Sequence, residues 1–225
     1  MRLALISDPH ANLPALQAVL AAIDREPVDR IVCAGDLVGY NPWPNEVLAL
    51  LRERGVLAIR GNHDRAALTG SAIGLNPIAA EALAWTAKRL TPETFATLRK
   101  LDNRTRFPAG DATVAVYHGS PRDDDEYVFP EDAAEDLVRA AGVEVVVLGH
   151  THVPMYCAYP TGIIVNPGSV GQPRDGDPRA AYALLDTDTE EWRVERVPYD
   201  IASVQRAIHR AGLPRFLADR LALGR

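Results

Sequence analysis

Apolar residues recur along this chain in runs of four, each ending in a cluster of glycine, aspartate, asparagine or histidine. Leu3-Ala4-Leu5-Ile6 runs into Ser7-Asp8-Pro9-His10, and Ile31-Val32-Cys33-Ala34 runs into Gly35-Asp36. Val56-Leu57-Ala58-Ile59 runs into Arg60-Gly61-Asn62-His63-Asp64. Continuous apolar runs of this length predict strands buried on both faces. Between the first two, Leu13, Leu16, Val19, Leu20 and Ile23 recur at helical spacing, with Pro14 in the first turn. A second helix is predicted from Pro44 through Val47, Leu48 and Leu51, closed by Gly55. The alternation strand, helix, strand, helix, strand predicts a parallel sheet with helices packed on it.

Residues 65–107 break this rhythm and read as a mainly helical excursion. Asn76-Pro77 and Thr91-Pro92 each look like an N-cap followed by proline at the first helical position. Thr113 to Tyr117 then reads as a strand ending at His118-Gly119-Ser120-Pro121, and Asp123-Asp124-Asp125-Glu126 as a solvated loop. A helix is predicted over Ala133 to Ala141. A buried strand follows over Glu144 to Leu148, ending in Gly149-His150-Thr151-His152. From Met155 onward the short runs Tyr156 to Tyr159, Gly162 to Val165, Ala180 to Asp186 and Trp192 to Val197 read as an antiparallel meander forming a second sheet. Two short helices from Ile201 close the chain. With no linker, repeat or low-complexity stretch, residues 1–225 read as one α/β domain.

Composition narrows the function. A net charge of −6 without a basic block argues against a broad nucleic-acid surface. An acidic protein that handles phosphate needs metal ions to supply local positive charge. Cys33 and Cys157 are the two cysteines, both in apolar runs, which points to a reducing cytoplasm and not a disulfide framework. The run Leu3 to Ile6 is too short for a signal segment or a membrane span. Self-association into a homo-oligomer is left open.

Five strand ends carry Asp8 and His10, then Asp36, then Asn62 and His63, then His118, then His150 and His152. Five of the six histidines fall in this set, and only His209 lies outside it. Any one pair could be an ordinary polar turn; the joint placement at strand ends, where open α/β sheets bind ligands, is not ordinary. Carboxylate, imidazole and amide oxygen without thiolate suit Mn²⁺, Fe²⁺, Zn²⁺, Co²⁺ or Ni²⁺ better than Mg²⁺ or Ca²⁺. Seven candidate ligands besides His63 are too many for one ion but fit two that share a bridging carboxylate, roughly 3.5–4 Å apart.

In their order, Asp8-x-His10, Gly35-Asp36, Gly61-Asn62-His63-Asp64, His118 and Gly149-His150-Thr151-His152 resemble the calcineurin-like metallophosphoesterase family over most of the chain. Val38-Gly39-Tyr40 with Pro44-Asn45-Glu46, His118-Gly119-Ser120-Pro121 and Asn166-Pro167-Gly168-Ser169-Val170 resemble its small bacterial phosphodiesterase-like branch. The resemblance implies a four-layer αββα sandwich with two mixed sheets and two divalent transition-metal ions at the strand ends. Carried over by position, Asp8, His10 and His152 bind the first ion, Asn62, His118 and His150 the second, and Asp36 bridges them. His63 contacts a phosphoryl oxygen or protonates the leaving group, and Asp64 orients it. Arg122, Arg174 and Ser169 are candidate substrate contacts. Pro9 and Ala11 stand where the family usually has an aliphatic residue and glycine. Pro9 thereby removes a backbone donor, and Ala11 is expected to resist a positive φ.

The implied activity is hydrolysis of a small phosphate ester, a phosphodiester first, by a hydroxide that the metals activate. A phosphomonoesterase or dinucleoside-polyphosphate hydrolase would share the same site chemistry. A non-catalytic metal-binding scaffold of the same fold is the reading from another class, but such a scaffold is expected to lose ligands or the catalytic histidine, and all eight positions are intact here.

Overall fold

Alternate residues of the apolar runs serve two different layers, which is why the runs are unbroken. In strand β1 (Arg2–Ile6), Leu3 and Leu5 belong to one buried cluster and Ala4 and Ile6 to another. The computed structural model describes every residue except Ala72. After β1 come α1 (Leu13–Ile23), β2 (Arg30–Cys33), α2 (Pro44–Glu53), β3 (Leu57–Ala58), α3 (Asn62–Thr69), α4 (Pro77–Ala87) and α5 (Pro92–Lys100). They are followed by β4 (Arg104–Ala109), β5 (Ala112–Tyr117), α6 (Glu135–Ala141), β6 (Val145–Val147), β7 (Met155–Tyr159) and β8 (Gly162–Asn166). Strands β9 (Ala180–Asp186) and β10 (Trp192–Val197) and helices α7 (Ile201–Ala211) and α8 (Arg215–Leu221) complete the order.

Two five-stranded mixed sheets result, ordered β10-β9-β1-β2-β3 and β4-β5-β6-β8-β7. Each has a parallel centre: β1 with β2 and β2 with β3 in the first, β5 with β6 and β6 with β8 in the second. Leu3, Leu5, Val32, Val114, Val116, Val145, Val147, Ile163 and Val165 fill the space between the sheets. Ala4, Ile6 and Cys33 face outward onto Leu16, Val19, Leu20, Val47 and Leu51 of α1 and α2. On the other side Ala115, Val146 and Ile164 face Leu137 and Val138 of α6. The four layers are therefore helix, sheet, sheet, helix. Truncating the fully buried Leu5 to alanine would cost about 2–5 kcal/mol, because a cavity between two sheets cannot collapse easily.

Four expectations from the sequence change. The four C-terminal strands do not form one meander. β7 and β8 join the second sheet, while β9 pairs antiparallel with β1 and carries β10 at the edge of the first. The helical excursion starts at Asn62, not residue 65, and ends at Lys100; Arg104–Ala109 is a strand whose exposed arginines alternate with buried Phe107 and Ala109, paired in a hairpin with β5. The acidic run is not merely solvated, since Asp124 pairs with Arg104, Asp125 with Arg65 and Glu126 with Arg122. The apolar run at Val56 contracts to Leu57–Ala58, because the chain leaves the sheet early to start α3.

Candidate metal centre

The C-terminal ends of β1, β2, β5 and β6 and the start of α3 meet at one edge of the sandwich. The chain turns there with non-glycine residues in the left-handed region: Asp8 (φ 51°), His10 (44°), Asp36 (53°), His150 (68°) and His152 (62°). Such residues are uncommon and cost of order 1–3 kcal/mol each, so the surroundings must enforce them. Backbone bonds do so, from Asp8 N to Gly35 O at 3.0 Å and from His10 N to Asp36 O at 2.9 Å. Ala11 also adopts φ 54°, held by its N–H on Leu37 O at 2.9 Å, so the expected resistance to a positive φ is overcome by the ladder. Gly61 is required by proximity: a methyl group there would collide with the Asp36 carboxylate.

Three of the imidazoles are fixed by the nitrogen that faces away from the centre. Nδ1 of His10 lies 3.1 Å from Val38 O, that of His118 2.8 Å from Ala34 O, and that of His152 2.6 Å from Gln172 O. A carbonyl accepts only, so Nδ1 must donate, and in a neutral ring Nε2 is left with a lone pair aimed inward. For the neutral His10 and His152 the lone pairs then confront one another: His10 Nε2 is 3.1 Å from His152 Nε2, and His152 Nε2 is 3.2 Å from Asp8 Oδ1. His118, when protonated, donates from Nε2 to Asn62 Oδ1 at 3.0 Å, and a metal ion would take the place of that proton. Asp36 Oδ2 lies 3.6 Å from His10 Nε2 and 3.4 Å from His118 Nε2, spanning both groups. Acceptor atoms gathered this closely need cations between them. Asp8 Oδ1 and His150 Nε2 are buried with no hydrogen-bond partner, as expected of atoms kept for ligation. Asp8, His10 and His152 form one triad of donors and Asp36, His118 and His150 another; His63 completes a third with His10 and Asp36. Nitrogen and oxygen donors without sulfur match first-row divalent ions.

The electrostatics agree. Burial pushes His10 and His152 below the usual imidazole range and takes His150 down to about 3, so these rings are neutral at pH 7. Burial would lower His118 too, but Asp36 beside it lifts it to about 9. Burial would raise Asp36, yet His118 and His63 hold it well below the carboxylate range. The centre thus keeps negative charge at Asp36 and draws positive charge to it.

His63 lines a small cleft of 170 Å³ over the cluster, together with Asp36, Tyr40, His150, His152 and Arg174. Its ring is wedged between His10 and Tyr40, at 4.7 and 4.5 Å between centroids, and burial takes it down to about 4. The expected orientation of His63 by Asp64 is corrected. Asp64 accepts from Gly61 N (2.9 Å), Leu37 N (3.1 Å) and Val38 N (3.0 Å), while His63 Nδ1 has no hydrogen-bond partner. Asp64 fixes the loop after β2, including Val38, whose carbonyl aligns His10; packing by Tyr40 and Gly39 fixes His63.

Arg174 enters the cleft, with Nη2 3.4 Å from the Tyr40 hydroxyl and 3.2 Å from Gln172 Oε1. Arg122 does not line it and is held by Glu126 and Asp136. Ser169 is fully buried, donating to Asp8 O at 2.8 Å and accepting from Gln172 N at 2.9 Å, so it braces the first loop and cannot touch substrate. Sequence reasoning missed Tyr40, Gln172 and Asn41, whose Nδ2 donates to His10 O at 2.9 Å. Only the Gly39-Tyr40 pair, with φ 94° and 60°, carries a sequence signal, a glycine beside an aromatic just past a strand end.

Residues 1–190 match the family model of the calcineurin-like phosphoesterase superfamily domain. A metallophosphoesterase from Sphaerobacter thermophilus is 40% identical, with a TM-score of 0.85 over 100% of this chain and 99% of that one. An uncharacterised protein of Methanocaldococcus jannaschii is 34% identical over 99% of this chain and 98% of its own length. The phosphodiesterase YfcE of Escherichia coli is 28% identical over 84% of this chain and 89% of its own.

Proposed function

This chain belongs to the calcineurin-like phosphoesterase superfamily, and from that premise we propose that it is a cytoplasmic phosphodiesterase using two divalent transition-metal ions. The observation that carries the reading is the confrontation of acceptor atoms, His10 Nε2 against His152 Nε2 and His152 Nε2 against Asp8 Oδ1, with Asp36 reaching from His10 across to His118 and its partner Asn62. Asp8, His10 and His152 would hold one ion, Asn62, His118 and His150 the other, and Asp36 both. When bound, the ions would lower the pKa of a water to about 7 and polarise the phosphoryl oxygens.

The chain's own groups do the rest. Asp36 accepts the backbone N–H of His63 at 2.8 Å, which ties the start of α3 to the bridging carboxylate. Arg174 supplies the fixed cation of the cleft for a phosphoryl oxygen. His63, kept neutral by burial, offers a ring N–H to the same oxygens. A neutral ring is a poor acid, so of the two roles open to His63 the structure favours charge stabilisation over protonation of the leaving group. A diester is preferred over a monoester because the adjoining surface leaves room for a second substituent and because YfcE, a relative over most of its length, is a phosphodiesterase. No helix of the described residues is long and apolar enough to cross a membrane.

The test is reconstitution. Metal-stripped protein should be inactive on a panel of diesters and monoesters, and Mn²⁺, Co²⁺ or Ni²⁺ should restore diester hydrolysis better than Mg²⁺. Equal restoration by Mg²⁺ alone, or activity confined to monoesters, would count against the reading.

A further inference from the structure

A second cleft, of 240 Å³, adjoins the first and shares Asn62, Gly74, Leu75, Tyr127 and His150 with it, so Tyr127 stands where the two meet. A group attached to a phosphate held over the cluster therefore extends into it. Its lining differs in kind from the polar centre. Tyr127 is 50% exposed, its ring centroid 3.8 Å from that of His150, and Phe129 lies nearly parallel to it at 11° and 6.1 Å. Ile73, 94% exposed, also lines this cleft. Ile73, Tyr127 and Phe129 are three of the seven large apolar side chains left exposed among the described residues; the first two line the cleft and Phe129 stacks behind Tyr127. Arg65, one turn along α3 from Asn62, also lines it; it is paired with Asp125, and Arg65 Nη1 is buried with no hydrogen-bond partner.

Each simple occupant leaves part of this cleft unused. An aliphatic chain would cover the apolar walls and leave the Arg65 donor idle. A bare sugar would satisfy Arg65 and waste the aromatic ring. A flat ring with a polar edge matches both, since aromatic side chains accept any base by its π-face. Resting on the phosphoesterase reading above, we propose that Tyr127 is a specificity-determining residue. Its ring receives a planar heteroaromatic group, such as a nucleobase, carried by the phosphate ester, while Arg65 meets the polar edge of that group.

The experiment compares adenosine 5′-monophosphate with ribose 5-phosphate, which share the sugar phosphate and differ in the base. Affinities are measured by calorimetry on manganese-loaded protein, for the wild type, Tyr127→Leu and Tyr127→Phe. The wild type should prefer the nucleotide by about ten-fold or more. The preference should fall to about one in Tyr127→Leu and persist in Tyr127→Phe. Because the ratio is read within one protein, a variant with a disturbed metal site still reports. A wild-type ratio of one, or an undiminished ratio in Tyr127→Leu, would overturn the proposal and leave the phosphoesterase reading standing. Binding of neither ligand would overturn the proposal, and the phosphoesterase reading would still be decided by the metal reconstitution.

Discussion

In the proposed assignment Asp8, His10 and His152 form one half of the ligand cluster, Asn62, His118 and His150 the other, and the two halves are held differently. In the first, both imidazoles donate from Nδ1 to backbone carbonyls, all three residues are at most 1% exposed, and a full carboxylate is present. In the second, His118 alone is anchored that way. His150 is positioned by ring contacts with His118 at 4.7 Å and Tyr127 at 3.8 Å, and Asn62 is neutral and half-buried. The first half is a closed socket. The second opens more widely to the cleft, through both Asn62 and His150, and has the shared Asp36 as its one carboxylate. The difference teaches that one half is built for rigid ligation and the other for access from the cleft, with Asp36 within reach of both.

The largest expected effect removes the join. Asp36→Ala should lower metal content by both equivalents and activity by on the order of 10³-fold or more, whereas His10→Ala should release mainly one equivalent. Metal analysis that finds two equivalents still bound to Asp36→Ala would break the comparison. Next comes His63→Asn, which replaces none of either half's donors. It should keep both metals and lose about 10²–10³-fold in rate, equally on diesters with alkoxide and with nitrophenolate leaving groups. A loss confined to alkoxide leaving groups would reassign His63 as the proton donor.

Acidity should separate the halves more finely. His10 and His152 are already neutral at pH 7, so the first half displaces no proton from them on binding metal. His118, lifted to about 9 by Asp36 against the effect of burial, must release its proton before it can ligate. Affinity of the second half should therefore rise with pH up to about 9, by up to ten-fold per unit, while the first stays flat from pH 7 upward. Metal titrations at pH 7, 8 and 9 that show parallel slopes would remove the asymmetry. The smallest effect is local. Ala11→Gly relieves a buried left-handed alanine at φ 54° and should raise stability by about 1 kcal/mol or less, read by denaturant unfolding.

Much of this was legible before the fold was known, for identifiable reasons. Apolar runs ending in glycine and ligand residues marked the strand ends, and the caps at Asn76 and Thr91 stand as the sequence implied, accepting from Ala79 N and Thr94 N. The sheet assignment of the last strands was not legible. β9 belongs to the first sheet through its pairing of Arg2 with Asp186 and Leu5 with Ala183, a contact across nearly the whole chain that no local pattern encodes. The strand Arg104–Ala109 was hidden because its solvent side carries arginine and proline. Asp64 misled for a different reason: its role was carried over by position from the family resemblance, but on a helix start consecutive side chains diverge, and Asp64 turns back to the backbone of the loop after β2.

The central claim is that both halves must be filled for catalysis, and stepwise reconstitution tests it most directly. Metal-free protein would receive Mn²⁺ in fractions of an equivalent at pH 8, with bound metal and diester hydrolysis measured at each step. The closed half should fill first and yield little rate, and activity should climb only as the second equivalent binds. Activity that saturates at one equivalent, or that is present in metal-free protein, would contradict the account.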